Sequence, residues 1–254
     1  MRKLLALLLG LMIASPAFST VTYVQNAGAS GQIPTTNGAS ITVTGGDTII
    51  CAVGEHGTGT VAQTGSATTL ASLSVSGSTS FNDGVGSSYG VSYNVSATAG
   101  AQTFSVTSVT SNYVNTLQFC MDFSGAASIQ NATYAVVAAP GTGAGAISGV
   151  PITVATTDKM LVCLWDASYF NTIPTVNGPA SSTNINTYGP SGCWYWAGTG
   201  SAYTPTFTAA ATFGGDTYIV IQMDVSASAG GGSAGILMSN GHPVLSNSHP
   251  VLSN

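Results

Sequence analysis

Along most of this chain apolar residues fall on every second position. Leu117, Phe119, Met121 and Phe123 alternate with Gln118, Cys120 and Asp122, and Ile219, Ile221, Met223 and Val225 form a second such series. Period two with one apolar face is the mark of a half-buried strand. The same pattern predicts strands over 20–25, 39–44, 48–55, 69–76, 89–95, 103–107 and 115–123. It predicts others over 132–137, 153–154, 159–166, 193–197, 204–209 and 217–225. Beyond the N-terminal segment no window carries the helical period of about 3.6, so the domain reads as all-β. Many short strands separated by Gly- and Ser-rich turns favour a sandwich or barrel.

Two of these stretches nearly repeat each other. Residues 41–55 read ITVTGGDTIICAVGE and residues 152–166 read ITVATTDKMLVCLWD. Aligned without a gap, Ile41, Thr42, Val43 and Asp47 recur as Ile152, Thr153, Val154 and Asp158, and the runs end in Glu55 and Asp166. Met121-Asp122-Phe123-Ser124 is echoed by Met223-Asp224-Val225-Ser226. Self-similarity describes architecture first. It divides a domain over 20–228 into halves of about 20–126 and 150–228. A lone sheet from either half would expose raw edges; packing the halves face to face, with residues 20–25 beside a later strand, relieves this. The expected fold is a two-layer antiparallel β-sandwich, jelly-roll-like and built from two sequence-similar halves, in preference to two tandem Ig-like domains.

The ends of the chain read differently. Arg2 and Lys3 precede the apolar run 4–13, and Ala14-Ser15-Pro16-Ala17-Phe18-Ser19 supplies small residues for cleavage. Residues 1–19 are therefore expected to be a secretory signal peptide, its apolar run being too short for the roughly 20 residues a bilayer demands. Residues 229–254 form a Gly/Ser linker and a tail that states HPVLSN twice, with Pro243 and Pro250 opposing a helix. The expected location is extracellular or at a cell surface. Past the signal, Lys159 stands alone against eight acids. One Lys cannot displace phosphate counterions, which excludes nucleic acid, and anionic membranes are excluded on the same ground. Hydrophobic residues make up 44% of the chain, enough for a packed core despite only 4% charge. The surface must then be neutral and rich in hydroxyls and amides.

Cys51, Cys120, Cys163 and Cys193 allow three pairings in an oxidising compartment. The halves suggest Cys51–Cys120 and Cys163–Cys193, with buried free thiols as the alternative. Cys51 and Cys163 sit one residue out of register in the repeat, so their thiols should face opposite sides. The strand motifs at Val24-Gln25, Gly46-Asp47, Tyr93-Asn94-Val95 and Asp122-Phe123-Ser124-Gly125 carry a resemblance over nearly all of residues 20–228. The chain resembles an uncharacterised β-sandwich module, about 200 residues long, of secreted bacterial and phage-borne surface proteins. The resemblance implies a jelly-roll-like sandwich and a surface role, and it implies no catalytic residues. This chain departs from that pattern in its HPVLSN repeat.

Candidate chemistry is sparse. A glycoside hydrolase needs two carboxyl groups roughly 5–9.5 Å apart, and Glu55 with Asp122 is the one pair to consider. Against it, Glu55 and Asp166 are expected to end strands facing water, Asp122 and Asp224 to occupy polar strand faces, and Asp47 and Asp158 to bond their own turns. No Gly-x-Ser-x-Gly elbow occurs, and the protein is not expected to be an enzyme. Neither a cofactor nor a metal is expected: Asn82-Asp83-Gly84 reads as a turn, and the EF-hand spacing is absent. Binding is the better prospect, with a glycan or another surface protein as partner. Trp194 and Trp196 share one face and read as core, with Val91 and Tyr93 as counterparts. Tyr169, Phe170, Tyr188 and Tyr195 are the candidate ligand contacts, because aromatic faces on a neutral, hydroxyl-rich surface suit sugars. The alternatives are a polysaccharide-active enzyme using Glu55 and Asp122, or an assembly subunit that uses its tail.

Overall fold

The computed structural model describes residues 20–32, 38–56, 61–82, 87–108, 115–138, 145–166, 175–177, 191–209, 217–227, 237–239 and 242–244. All of the regular structure there is β. The first half comprises β1 (Thr22–Gln32), β2 (Ala39–Val43), β3 (Thr48–His56), β4 (Val61–Gly65), β5 (Ala71–Ser72), β6 (Phe81–Asn82), β7 (Ser87–Asn94), β8 (Gly100–Ser108) and β9 (Asn115–Ser124). The second comprises β10 (Ala126–Ala138), β11 (Gly145–Ser148), β12 (Ile152–Thr153), β13 (Lys159–Asp166), β14 (Thr175–Asn177), β15 (Gly192–Ala197), β16 (Ala202–Tyr203), β17 (Thr206–Ala209) and β18 (Thr217–Ala227). In the tail, β19 (Leu237–Ser239) and β20 (His242–Val244) pair as a small hairpin.

The large sheet of the first half runs β1-β9-β3-β7-β5, with β6 on β7, and that of the second runs β10-β18-β13-β15. The small sheets run β2-β8-β4 and β11-β17-β14, with β12-β16 beside the latter. The run β1-β9-β3-β7 has the same order of chain passes as β10-β18-β13-β15, while β5 and β6 have no counterpart in the second large sheet. In each half the chain passes from large sheet to small and back repeatedly, which is the wrapping of a jelly roll. The second half interrupts its ribbon at Pro151 and Pro205, which donate no hydrogen bond; Gly149 still donates to the Pro205 carbonyl at 2.9 Å.

The halves meet through their large sheets. Ile50, Ala52, Phe119, Met121 and Phe123 of one pack with Leu161, Trp165, Ile219, Ile221 and Met223 of the other in one central core. Here the structure adds to the expected two layers, because each large sheet is covered on its other face as well. Ile41, Ile49, Cys51, Phe104 and Cys120 form an outer core beneath the first small sheet. Ile147, Val162, Leu164, Trp194, Trp196 and Phe207 form its counterpart in the second half. The half-buried reading of β9 and β18 is thereby corrected: Gln118, Asp122, Gln222 and Asp224 are all buried. Buried amides must find partners. Gln118 accepts from Ala39 N at 2.9 Å and donates to Gln63 Oε1 at 2.9 Å, and Gln63 donates to the Cys51 carbonyl at 2.8 Å.

Cys51 is bonded to Cys120 across β3 and β9, and Cys163 to Cys193 across β13 and β15. The first bond lies in the outer core and the second in the central one. No helix among the described residues is long and apolar enough to cross a membrane.

Candidate functional site

The repeated acids converge. Thr48 pairs with Phe123 and Ile49 with Asp122, so Asp47 stands diagonally across from Asp122 on the face they share with Ile49. Lys159 pairs with Val225 and Met160 with Asp224, which sets Asp158 and Asp224 in the same relation. Diagonal neighbours on one sheet face are within reach of each other, and Asp47 and Asp158 add to the raised pKa of the Asp opposite them. Two carboxylates both accept and cannot donate to one another, so a hydrogen bond within either pair needs a proton. Asp122 Oδ1 and Asp224 Oδ1 are buried without a hydrogen-bond partner.

Each pair is held by an amide from the first strand of its half. Gln25 donates to the Thr42 carbonyl and to Asp122 Oδ2, the latter at 3.0 Å. Asn131 donates to the Thr153 carbonyl at 3.3 Å and acts against the raised pKa of Asp224. Thr42 and Thr153 are themselves counterparts in the sequence repeat. Asn131 has φ 47°, a left-handed conformation that Asn tolerates better than most residues. Asp158 Oδ1 accepts from Ala227 N at 2.8 Å and from Thr157 Oγ1 at 2.9 Å. The expectation that Asp47 would bond its own turn is corrected, because its side chain reaches to β9 instead.

Burial raises the pKa of Asp122 to about 6; the Asp47 charge adds to this and the Gln25 amide opposes it. Burial likewise raises Asp224 to about 6, reinforced by Asp158 and opposed by Ser226 and Asn131. Asp47 is also raised by burial, with the bond from Asp122 acting against the shift. The Tyr23 hydroxyl is pushed up to about 12, by burial first and then by Tyr195 and Asp122.

Beside the first pair lies an open groove of about 430 Å³ lined by Gln25, Asn26, Ser40, Thr42, Gln102 and Thr103 together with Ile41 and Ala101. It carries amides and hydroxyls and no ionisable side chain. Ser40 Oγ and Thr103 Oγ1 already lie 2.9 Å apart across the β2–β8 pair.

The other candidates fare unevenly. Glu55 is 0% exposed, so the expectation that it faces water is overturned; alternation along β3 sets it on the outer-core face with Ile49 and Cys51, away from the seam between the large sheets. It pairs with Thr116 while Asp122 pairs with Ile49. Six residues at about 3.3 Å each put Glu55 and Asp122 roughly 20 Å apart, too far for a glycosidase pair. Tyr195 is half-buried, stacked on Tyr23 at 4.4 Å and set edge-on to Phe123. That packing corrects its reading as an exposed contact. Trp194 and Trp196 are core, as the spacing implies, but their counterparts in register are Ser92 and Asn94 rather than Val91 and Tyr93. Tyr169, Phe170 and Tyr188, residues 1–19 and most of the HPVLSN tail lie outside the described residues.

Sequence reasoning noticed the Asp47/Asp158 and Asp122/Asp224 equivalences but missed that the two sets touch. The signal was available: an acid before one central strand and another late in its neighbour, repeated together. Among the described residues no three metal-ligating side chains converge. Comparisons with protein-family models, curated proteins and solved structures find no match for this chain.

Proposed function

We propose that this protein is a secreted, non-enzymatic module that acts at a cell or virion surface by adhesion, binding a neutral carbohydrate. The groove between β1 and β2 carries this reading. Its amide and hydroxyl lining suits a polyol, and the scarcity of charge around it disfavours ionic ligands. Two disulfides are compatible with an extracellular setting. The sequence resemblance to secreted surface modules points the same way. The four acids of the two carboxyl pairs, one pair beside β1 and the other beside β10, are buried away from a substrate, which argues against hydrolysis.

A glycan array on the intact chain tests this, alongside the Asn26→Ala/Ser40→Ala and Tyr169→Ala variants. A bound neutral glycan whose affinity falls tenfold or more in the groove variant is the expected result, since lost sugar hydrogen bonds weaken binding by about 1.4 kcal/mol or more. No bound glycan, or binding indifferent to Asn26 and Ser40, would sink the groove as its site. Loss only in Tyr169→Ala would transfer the site to the aromatic residues around Tyr169.

A further inference from the structure

We propose that Asp47–Asp122 and Asp158–Asp224 form a duplicated proton latch, each pair holding one shared proton that ties the first strand of its half down and makes the molecule tightest in mild acid. The geometry carries this in two independent copies. Each pair is placed by strand register, Asp122 Oδ1 and Asp224 Oδ1 are buried without a hydrogen-bond partner, the Gln25 amide spans from Asp122 to the Thr42 carbonyl, and the Asn131 amide bonds the equivalent Thr153 carbonyl. Removing the proton leaves two buried anions facing each other, and like charges that close cannot both ionise cheaply.

The surroundings offer no cation to relieve them. Asp122 is faced by Gln25 and Tyr23 from β1, by Asp47 before β3, and through Gln25 by the Thr42 carbonyl. Asp224 is faced by Asn131 from β10, by Asp158 before β13, and by Ser226 of its own strand. Lys159 is the sole Lys or Arg among the described residues, and it alternates to the sheet face opposite Asp158 and Met160. Both latches also adjoin the seam between the halves. Thr157 O accepts from Val21 N at 2.9 Å, and Thr48 Oγ1 donates to the Ala126 carbonyl at 3.2 Å, so the turn beside each acid holds the start of the other half.

Denaturant unfolding of the intact chain between about pH 4.5 and pH 8 reads the latch directly. The wild-type midpoint should fall as pH rises, while Asp122→Asn/Asp224→Asn, which keeps a neutral donor toward Asp47 and Asp158, should give a flat profile and a higher midpoint at the alkaline end. A wild-type midpoint that rises with pH, or the same slope in the variant, overturns the proposal. Should the double variant not fold, carboxyl-carbon NMR of the wild type decides: two Asp resonances titrating near 6 support the latch, and all Asp titrating near the ordinary value of about 3.9 refute it. A gain in midpoint at neutral pH on adding calcium chloride, reversed by EDTA, would put a cation where the proton is proposed and equally overturn it.

Discussion

Single residues here do work that their chemistry alone would not foretell. Gly54 is an example. A Cβ at this position would lie 2.1 Å from Trp165 Cε3, inside the indole that packs on the facing sheet. Gly54 and Trp165 are counterparts in the sequence repeat, so the seam matches one small residue against one large. Gly54→Ala should destabilise the protein by about 1–3 kcal/mol, the usual range for overpacking a filled core. Equilibrium denaturation checks this, and an unchanged midpoint would mean that the two large sheets can part at this point. Asp122 is the second example. Its alternation with Phe123 and Met121 reads as a water-facing acid, and only the small sheet above it makes it a buried one.

At the scale of elements, the two disulfides link non-equivalent strand pairs. The first joins β3 to β9 and closes a separation of 69 residues; the second joins β13 to β15 and closes 30. Constraint of the unfolded chain grows slowly with loop length, giving about 4.4 and about 3.6 kcal/mol respectively. Replacing Cys51 and Cys120 by Ala should therefore lower stability more than replacing Cys163 and Cys193, by a little under 1 kcal/mol. Denaturant midpoints of the two variants test the order, and a reversed order would mean that native packing outweighs chain entropy. Strand existence was well read: 39–43, 48–56, 87–94, 115–124, 159–166, 192–197 and 217–227 all fall within a few residues of expectation. The strands Val61–Gly65 and Gly145–Ser148 were missed, being short and rich in small or polar residues. They belong to the small sheets, whose outer faces are wet and whose apolar signal is correspondingly thin.

Over the whole molecule the carboxyl pairs set a pH dependence whose sign can be worked out. Asp122 and Asp224 have folded-state values of about 6, against about 3.9 for an unfolded Asp. Between those values the folded chain binds more protons than the unfolded one. The stabilisation is thus fully present below about pH 4, declines as pH rises, and is gone above about pH 6. Each site contributes at most about 3 kcal/mol, from a shift near two units. Asp47, raised in the same direction, adds to the same slope. Unfolding free energy measured across this window should therefore decrease with pH, contrary to the usual behaviour of paired surface carboxylates.

What the sequence determined by itself was local: the all-β character, the near-repeat, and the places of most strands, because side-chain alternation is imposed by the pleat of each strand separately. It also set the poverty of charge that leaves a neutral polar groove as the candidate binding surface. The layering was decided by tertiary structure alone. Whether the second face of β9 meets water or another sheet depends on contacts between residues far apart in the chain, such as Gln118 with Ala39 and Gln63. The joining of Asp47 to Asp122 across a sequence separation of 75 has the same origin. Strand register, set when β9 docks beside β3, turns two separately repeated acids into one proton-sharing pair.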